Sequence, residues 1–310
     1  MKRSTSVLLL NSLLAAGAFA PLAWAETPSA VPTPTNLHVG LRRSSYGGRH
    51  TPDNAWWIAR AREFAAHFPG AKPTIVEIVS VYLDDGTTQF EFGKPDSYVG
   101  PAHGMTFRPD KTTHEQALND YDMAGISVVL QVEPGNADLK HCLEAVNLKF
   151  GKHPCVIGLG VDAEWFFTKE SPKHDGRPIT DAEAKELVET VRALNPHYTL
   201  FLKHFSTKHL PPTFRHPNLH FISDSQDFES ADEMLSDFKK WGKRFEGATT
   251  GYQFGYPKDR AWWGALANPP LELADRIRTT VPSCAYLIWV DFTANQVRFE
   301  RNDSKAGASQ

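Results

Sequence analysis

Cys155-Val-Ile-Gly-Leu-Gly-Val-Asp162, followed by Ala163-Glu164-Trp165, is the stretch on which the fold turns. An apolar run of strand length, with no polar residue before its end, reads as a strand buried on both faces. Such strands belong to parallel sheets covered by helices. Seven further runs share the form. They are Leu37–Leu41, Thr74–Tyr82, Ile126–Glu133, Thr199–His204, Leu219–Ser223, Thr250–Phe254 and Ala285–Asp291. Strand runs that alternate with helical patterns this regularly suit a closed (βα)8 TIM barrel better than an open doubly wound sheet. We therefore expect an α/β fold with a single barrel domain over residues 37–295.

The helices between the runs announce their starts. Thr113-His-Glu-Gln116, Thr180-Asp-Ala-Glu183 and Ser230-Ala-Asp-Glu233 fit the capping box, in which side chain and backbone satisfy each other's orphan donors. Apolar stripes at helical spacing follow: Leu187, Val188, Val191 and Leu194, and Met234, Leu235, Phe238, Trp241 and Phe245. Leu139, Cys142, Leu143, Val146 and Phe150 form a third, closed by Gly151 as its C-cap. Two places break the rhythm. Pro211-Pro212 prevents a long helix after the fifth run, and Thr293 to Gln310 leaves little room for a last one. The long stretch from Asp84 to Lys111, which follows the second run, reads as a cleft wall or lid, with a small strand at Gln89–Phe92.

Outside the barrel, residues 1–25 read as a secretory signal peptide. Lys2 and Arg3 precede an apolar run from Val7 to Leu22, and Ala23-Trp24-Ala25 supplies small residues for cleavage. Pro21 and the short, Ala-rich run disfavour a spanning anchor, so no stable membrane insertion is expected. Residues 26–36, rich in Pro and Thr, are a flexible linker, and residues 296–310 are a C-terminal tail. The expected location is secreted or periplasmic. Losing Lys2 and Arg3 with the leader moves the formal net charge from -3 to -5. That mild acidity argues against nucleic-acid binding, which usually needs a basic stripe. Cys142, Cys155 and Cys284 are an odd number and show no metal-ligand spacing, so they read as buried core residues. There is no phosphate loop, no G-x-S-x-G and no H-E-x-x-H. No cofactor and no metal are implied, and a monomer is expected.

The chemistry gathers at strand ends, where barrel enzymes place their functional groups. Asp162 and Glu164 are two residues apart, so in a strand they share a face. Like charge, together with Trp165, Phe166 and Phe167 around them, raises a carboxyl pKa toward what a general acid near neutral pH needs. The bland alternative is a pair of surface acids capping a loop. Glu133 closes the third strand, Lys203 and His204 the fifth, and Asp224, Gln226 and Asp227 follow the sixth. Gln253 and Tyr256 belong to the seventh, Trp289 and Asp291 to the eighth. Trp289 is either a floor on which a sugar ring stacks or a core tryptophan. Trp262 and Trp263 either line a subsite or pack a helix. Arg42, Arg43 and Tyr46 after the first strand are weaker substrate contacts. A metal set of His204, Asp224 and Glu133 is a minor alternative.

Val156-Ile-Gly-Leu-Gly-Val-Asp-Ala-Glu-Trp165 resembles the fourth-strand signature of family 18 glycoside hydrolases, the chitinase-like barrels. Ala285-Tyr-Leu-Ile-Trp-Val-Asp291 looks like their eighth strand. The resemblance implies that Glu164 is the general acid, that Asp162 orients a substrate acetamido group, and that Trp289 is the sugar floor. Earlier acids of that signature are replaced here by Gly158 and Gly160. The family's tyrosine on strand six is replaced by Ser223-Asp-Ser-Gln-Asp227, with Tyr256 or Gln253 as substitutes. Family 25 muramidases, more distantly similar, also carry D-x-E on a barrel strand. The sequence thus points to an exported glycoside hydrolase acting on a polysaccharide, one containing N-acetylhexosamine if the family 18 likeness holds. Glu133 or Asp224 is the alternative second carboxylate. The rival is a non-catalytic glycan- or cell-wall-binding barrel.

Overall fold

The structure, a computed structural model, describes residues 37–47, 52–109, 113–167 and 176–300. Eight parallel strands close a barrel in chain order. They are β1 (His38–Arg43), β2 (Lys72–Ile78), β3 (Ser127–Val132), β4 (Val156–Asp162), β5 (Thr199–His204), β6 (Leu219–Ser223), β7 (Thr249–Phe254) and β8 (Cys284–Trp289). β8 pairs back onto β1 through His38–Tyr286 to Leu41–Trp289. The expected (βα)8 architecture is therefore what the chain adopts. The signal peptide and linker lie outside the described residues.

Three boundaries differ from the sequence reading. β1 runs on to Arg43, which takes Arg42 and Arg43 into the strand. β2 stops at Ile78. At Val79 the chain leaves the barrel, with Val79 N–H still donating to Gln131 while its carbonyl accepts from Glu91 (2.9 Å each). Ser80–Tyr82 then pairs antiparallel with Thr88–Phe90, which pairs in parallel with Met105–Phe107. This small sheet is the insert foreseen after the second strand, and Phe90, Phe92 and Phe107 form its core against Phe150. At the C-terminal end, Phe299 is fully buried between Phe64 and Trp289 (ring centroids 5.3 and 6.3 Å). The packed domain thus extends past residue 295, the boundary expected from sequence.

Alternation along each strand separates two cores. Leu41, Leu159, Val161, Leu202, Leu287 and Trp289 face outward into the layer of helices. Val76, Val129, Phe201, Ile222, Tyr286 and Ile288 fill the lumen. Gly160 is glycine because Phe201 crosses the lumen beside it: an added Cβ would lie 2.3 Å from that ring. An aromatic plug therefore occupies the space that an acid at residue 160 would need.

The covering helices include α1 (Asn54–Ala66), α2 (Thr113–Ala124), α3 (Leu139–Phe150), α4 (Asp181–Leu194) and α5 (Ala231–Arg244). Thr180 forms the full capping box with Glu183. Ser230 makes half of one, because its hydroxyl accepts from Glu233 N–H while the Glu233 carboxylate turns to Glu229 N–H (2.7 Å). Thr113 opens α2, and the residues before it are outside the described set. Between β5 and β6 only the turn Thr207–His209 forms, as Pro211-Pro212 dictates. None of the described helices is long and apolar enough to cross a membrane.

Candidate active site

At the C-terminal mouth of the lumen, Lys203 Nζ lies 2.6 Å from Asp162 Oδ2 and 2.6 Å from Asp224 Oδ2. The three come from β4, β5 and the residue after β6, all on lumen-facing positions. They are 2%, 1% and 4% exposed for Lys203, Asp162 and Asp224. An ammonium this deep is tolerable only when paired. Burial opposes its charge, but the two carboxylates outweigh that and hold its pKa well above the ordinary lysine value. Each carboxylate keeps a second buried oxygen, Asp162 Oδ1 and Asp224 Oδ1, with no hydrogen-bond partner. Gln131 Nε2 donates to Asp162 Oδ2 at 3.4 Å.

Glu133, just beyond β3, is fixed by two donors. The Tyr46 hydroxyl donates to Oε2, and Tyr82 N–H donates to the same oxygen at 3.1 Å. Burial raises its pKa despite these donors. Glu164 reaches the cluster by a route the sequence reading did not foresee. β4 ends at Asp162, and Ala163–Trp165 form a 3-10 turn. That turn, and not strand alternation, brings Glu164 to the same side. One carboxylate oxygen each from Asp162, Glu164 and Asp224 lie within 4.8 Å of one another. Glu164 is half-buried and makes no ion pair among the described residues.

The charges do not balance. Arg42 also reaches the mouth, but Asp291 already holds it (Nη2 to Oδ1, 2.7 Å), and Ser44 donates to the other Asp291 oxygen. Among the described residues, Lys203 is the one cation that bonds this group directly, against Glu133, Asp162, Glu164 and Asp224. Four carboxyls cannot all ionise around one cation in a desolvated pocket. Desolvation first, then repulsion from Asp224 and Asp162, lifts Glu164 to about 8. Desolvation, partly offset by Lys203 and reinforced by Asp224 and Glu133, lifts Asp162 to about 7. The cluster retains a proton at neutral pH, and Glu164 is its most accessible carrier. The same three acids are close enough to hold a cation, but the Lys203 ammonium already bonds two of them.

Above this floor opens a cleft of about 660 Å³. Tyr82, Asp84 and Trp165 form one wall, with the Tyr82 and Trp165 rings stacked 5.2 Å apart. Tyr256 and Phe292 form the other, both against the Arg42 guanidinium, which lies 4.6 Å from the Phe292 ring centroid. Gln226 and Tyr46 complete the rim.

Of the residues singled out from sequence, Glu164, Asp162, Glu133, Asp224, Lys203, Gln226, Tyr256, Arg42 and Tyr46 thus come together. Others do not. Trp289 is no sugar floor: it is fully buried and faces the helices, with Nε1 donating to Thr293 Oγ1 (2.9 Å) and Phe254 and Trp263 edge-on to its ring. Its parity decides this, because Tyr286 and Ile288 take the lumen side of β8. His204 is likewise one residue out of phase with Lys203. It stacks on His209 (4.4 Å) and accepts Ser206 N–H, so the metal set with Asp224 and Glu133 does not assemble. Gln253 lies in the lumen, fully buried, and does not line the cleft. Asp291 acts through Arg42 and does not reach the wall. Arg43 turns outward to Tyr121 and Asn54. Trp262 and Trp263 pack a helix, donating to Phe228 and Tyr256 carbonyls. Sequence reading missed Tyr82, Asp84 and Phe292. The aromatic and acidic Tyr82-Leu-Asp84 at the end of the second run was the available signal.

No protein-family model matches this sequence, and no curated protein does. Solved structures resemble it at low identity and with TM-scores below 0.5. An endoglucanase from Pseudomonas stutzeri is 13% identical over 86% of this chain and 90% of its own, with a TM-score of 0.47. An endocellulase from the archaeon Pyrococcus horikoshii is 13% identical over 83% of both chains, with a TM-score of 0.45. A xylanase-alpha-amylase inhibitor protein is 10% identical over 84% of this chain and 94% of its own, also at 0.45. The chemistry of this chain therefore rests on its own residues.

Proposed function

We propose that this protein is a glycoside hydrolase that cleaves a polysaccharide, with Glu164 as general acid. One observation carries the reading. A half-buried carboxyl with its pKa lifted to about 8 stands in an open cleft with no ion pair among the described residues, over a buried acid pair clamped by Lys203. Glu164 gives its proton to the glycosidic oxygen as the bond from that oxygen to the anomeric carbon breaks. The positive charge that grows on the sugar ring meets Asp162, Asp224 and Glu133, which are fixed in advance by Lys203, Gln131, Tyr46 and the Tyr82 backbone. Tyr82, Trp165 and Phe292 offer the apolar faces on which a pyranose stacks.

One carboxylate oxygen each of Asp162, Glu164 and Asp224 lies within 4.8 Å of the others, a closeness that suits the short carboxyl separation of retaining enzymes, roughly 5 Å. On an N-acetylhexosamine substrate the acetamido oxygen is the nucleophile and Asp162 orients it, as in the family 18 barrels that the fourth strand resembles. On a substrate without that group, the unpartnered oxygen of Asp224 takes its place. The surplus of carboxylates favours neutral or amino sugars over uronates. We further propose export through the leader at residues 1–25, to the periplasm or beyond, and action as a monomer.

The test is hydrolysis of chitin oligosaccharides, peptidoglycan, cellulose, mannan and pectate by the purified protein, beside Glu164→Gln. Cleavage of a neutral or amino-sugar polymer, lowered about a hundredfold or more by the substitution, is expected. The wild-type rate falls as pH rises through about 8, where Glu164 loses its proton. An equally active Glu164→Gln removes Glu164 from the mechanism. Glycan binding without cleavage makes the barrel a binding protein.

A further inference from the structure

Glu164 does not stand at the edge of one cavity; it stands between two. A second cavity of about 400 Å³ lies against the cleft and shares Glu164 and Gln226 with it. Its remaining wall is Phe205 with the loop Ser225–Phe228, closed by Asp237 and Lys258. We infer that this second cavity binds the sugar that leaves, with Phe205 as its stacking surface, and that an uncharged or amino sugar occupies it. The inference rests on the glycosidase reading. A general acid protonates the oxygen joining two sugars, so the acid must have a sugar site on each side.

The cavity is a fixed structure. Phe205 is 40% exposed, and among the described residues Tyr46 and Phe292 at the mouth are the comparably exposed aromatics. Its ring is propped from behind by His204 (4.5 Å), which stacks flat on His209. Ser225 Oγ donates to the Phe205 carbonyl at 3.1 Å, tying the loop to the platform. In that loop Asp227 has φ +72, the one positive value at a non-glycine residue among those described. Neighbours hold it there. Phe228 N–H donates to buried Asp259 (2.8 Å), and Trp262 Nε1 donates to the Phe228 carbonyl (2.8 Å). The helix packing of Trp262 thus shapes this wall. Asp227 and Asp237 outnumber Lys258, and Lys258 already pairs with Asp227 at 3.3 Å, so a uronate is disfavoured here.

The experiment compares two substrates of the sugar that the hydrolysis panel identifies: an oligosaccharide, and the 4-nitrophenyl glycoside, whose leaving group is no sugar. Phe205→Ala is expected to lower kcat/KM for the oligosaccharide about tenfold more than for the aryl glycoside, the scale of one lost apolar contact. Phe205→Tyr, which keeps the ring, restores the wild-type ratio. Equal losses on both substrates, or no loss on either, overturn the subsite. A wild-type protein that cleaves neither substrate overturns the glycosidase reading itself, and the subsite with it.

Discussion

Two buried cations in this barrel each lie between two carboxylates, and their surroundings differ in one respect. On the outer wall His114 bridges Glu77 of β2 (2.8 Å) and Glu91 of the insert (3.5 Å). Arg43 approaches Glu77 at 3.9 Å, and Arg108 approaches Glu91 at 3.3 Å. Cations there match or exceed acids. At the mouth, Lys203 bridges Asp162 and Asp224 at equal distances, but Glu133 and Glu164 are left over because Arg42 is committed to Asp291. The first network is a rivet between the insert and the barrel. The second carries an excess of carboxyl groups and so keeps a proton it can donate. The balance of charge, and not the presence of buried ions, separates a structural cluster from a reactive one.

The largest expected effect comes from breaking the mouth network. Lys203→Met leaves Asp162 and Asp224 buried without a cation, and should cost about 3–5 kcal/mol of stability at neutral pH in chemical denaturation. A cost below about 1 kcal/mol would mean that the acids are already neutral and the surplus argument is misplaced. The wall network gives a somewhat smaller, pH-dependent effect. Burial lowers the His114 pKa, but the hydrogen bond to Glu77 and the nearby Glu91 carboxylate outweigh it and lift the group from 6.5 to about 9. A raised folded pKa means stability that is fully present below pH 6.5 and lost as pH rises through 9. We expect the wild type to lose about 3 kcal/mol over that window relative to His114→Gln. Parallel curves for the two proteins would show that the rivet carries no proton. The smallest effect tests the reassigned tryptophan. Trp289→Phe should cost about 1–3 kcal/mol by loosening the packing around Phe254, Trp263 and Phe299, with kcat/KM unchanged within about twofold. A large loss of activity without loss of stability would return Trp289 to the sugar site.

The barrel was legible because its strands are apolar runs separated by capped helices, a pattern that tolerates few alternatives. The acids of the mouth were legible for the same reason, since Asp162, Glu133 and Asp224 end such runs. What could not be read was phase. Lys203 and His204 are neighbours in sequence, yet one faces the lumen and the other the helices. Trp289 fails by the same single step. Counting alternate residues from Phe201 and Tyr286 would have separated them, but which parity faces inward is set by barrel closure, a long-range fact. The role of Gly160 was hidden likewise, because its reason is Phe201, forty-one positions away along the chain. Compensation was hidden too. Nothing local shows that Asp291 removes Arg42 from the count of free cations.

The central claim is that Glu164 holds a proton at neutral pH, and it can be tested without a substrate. Carbon-13 NMR of protein labelled at the glutamate side-chain carboxyls, wild type against Glu164→Gln, isolates this one titration. We predict a carboxyl resonance that titrates near pH 8 and is missing from the variant. A missing resonance that titrates near the ordinary value of 4.5 would mean that Glu164 is ionised at neutral pH, and would contradict its role as the acid.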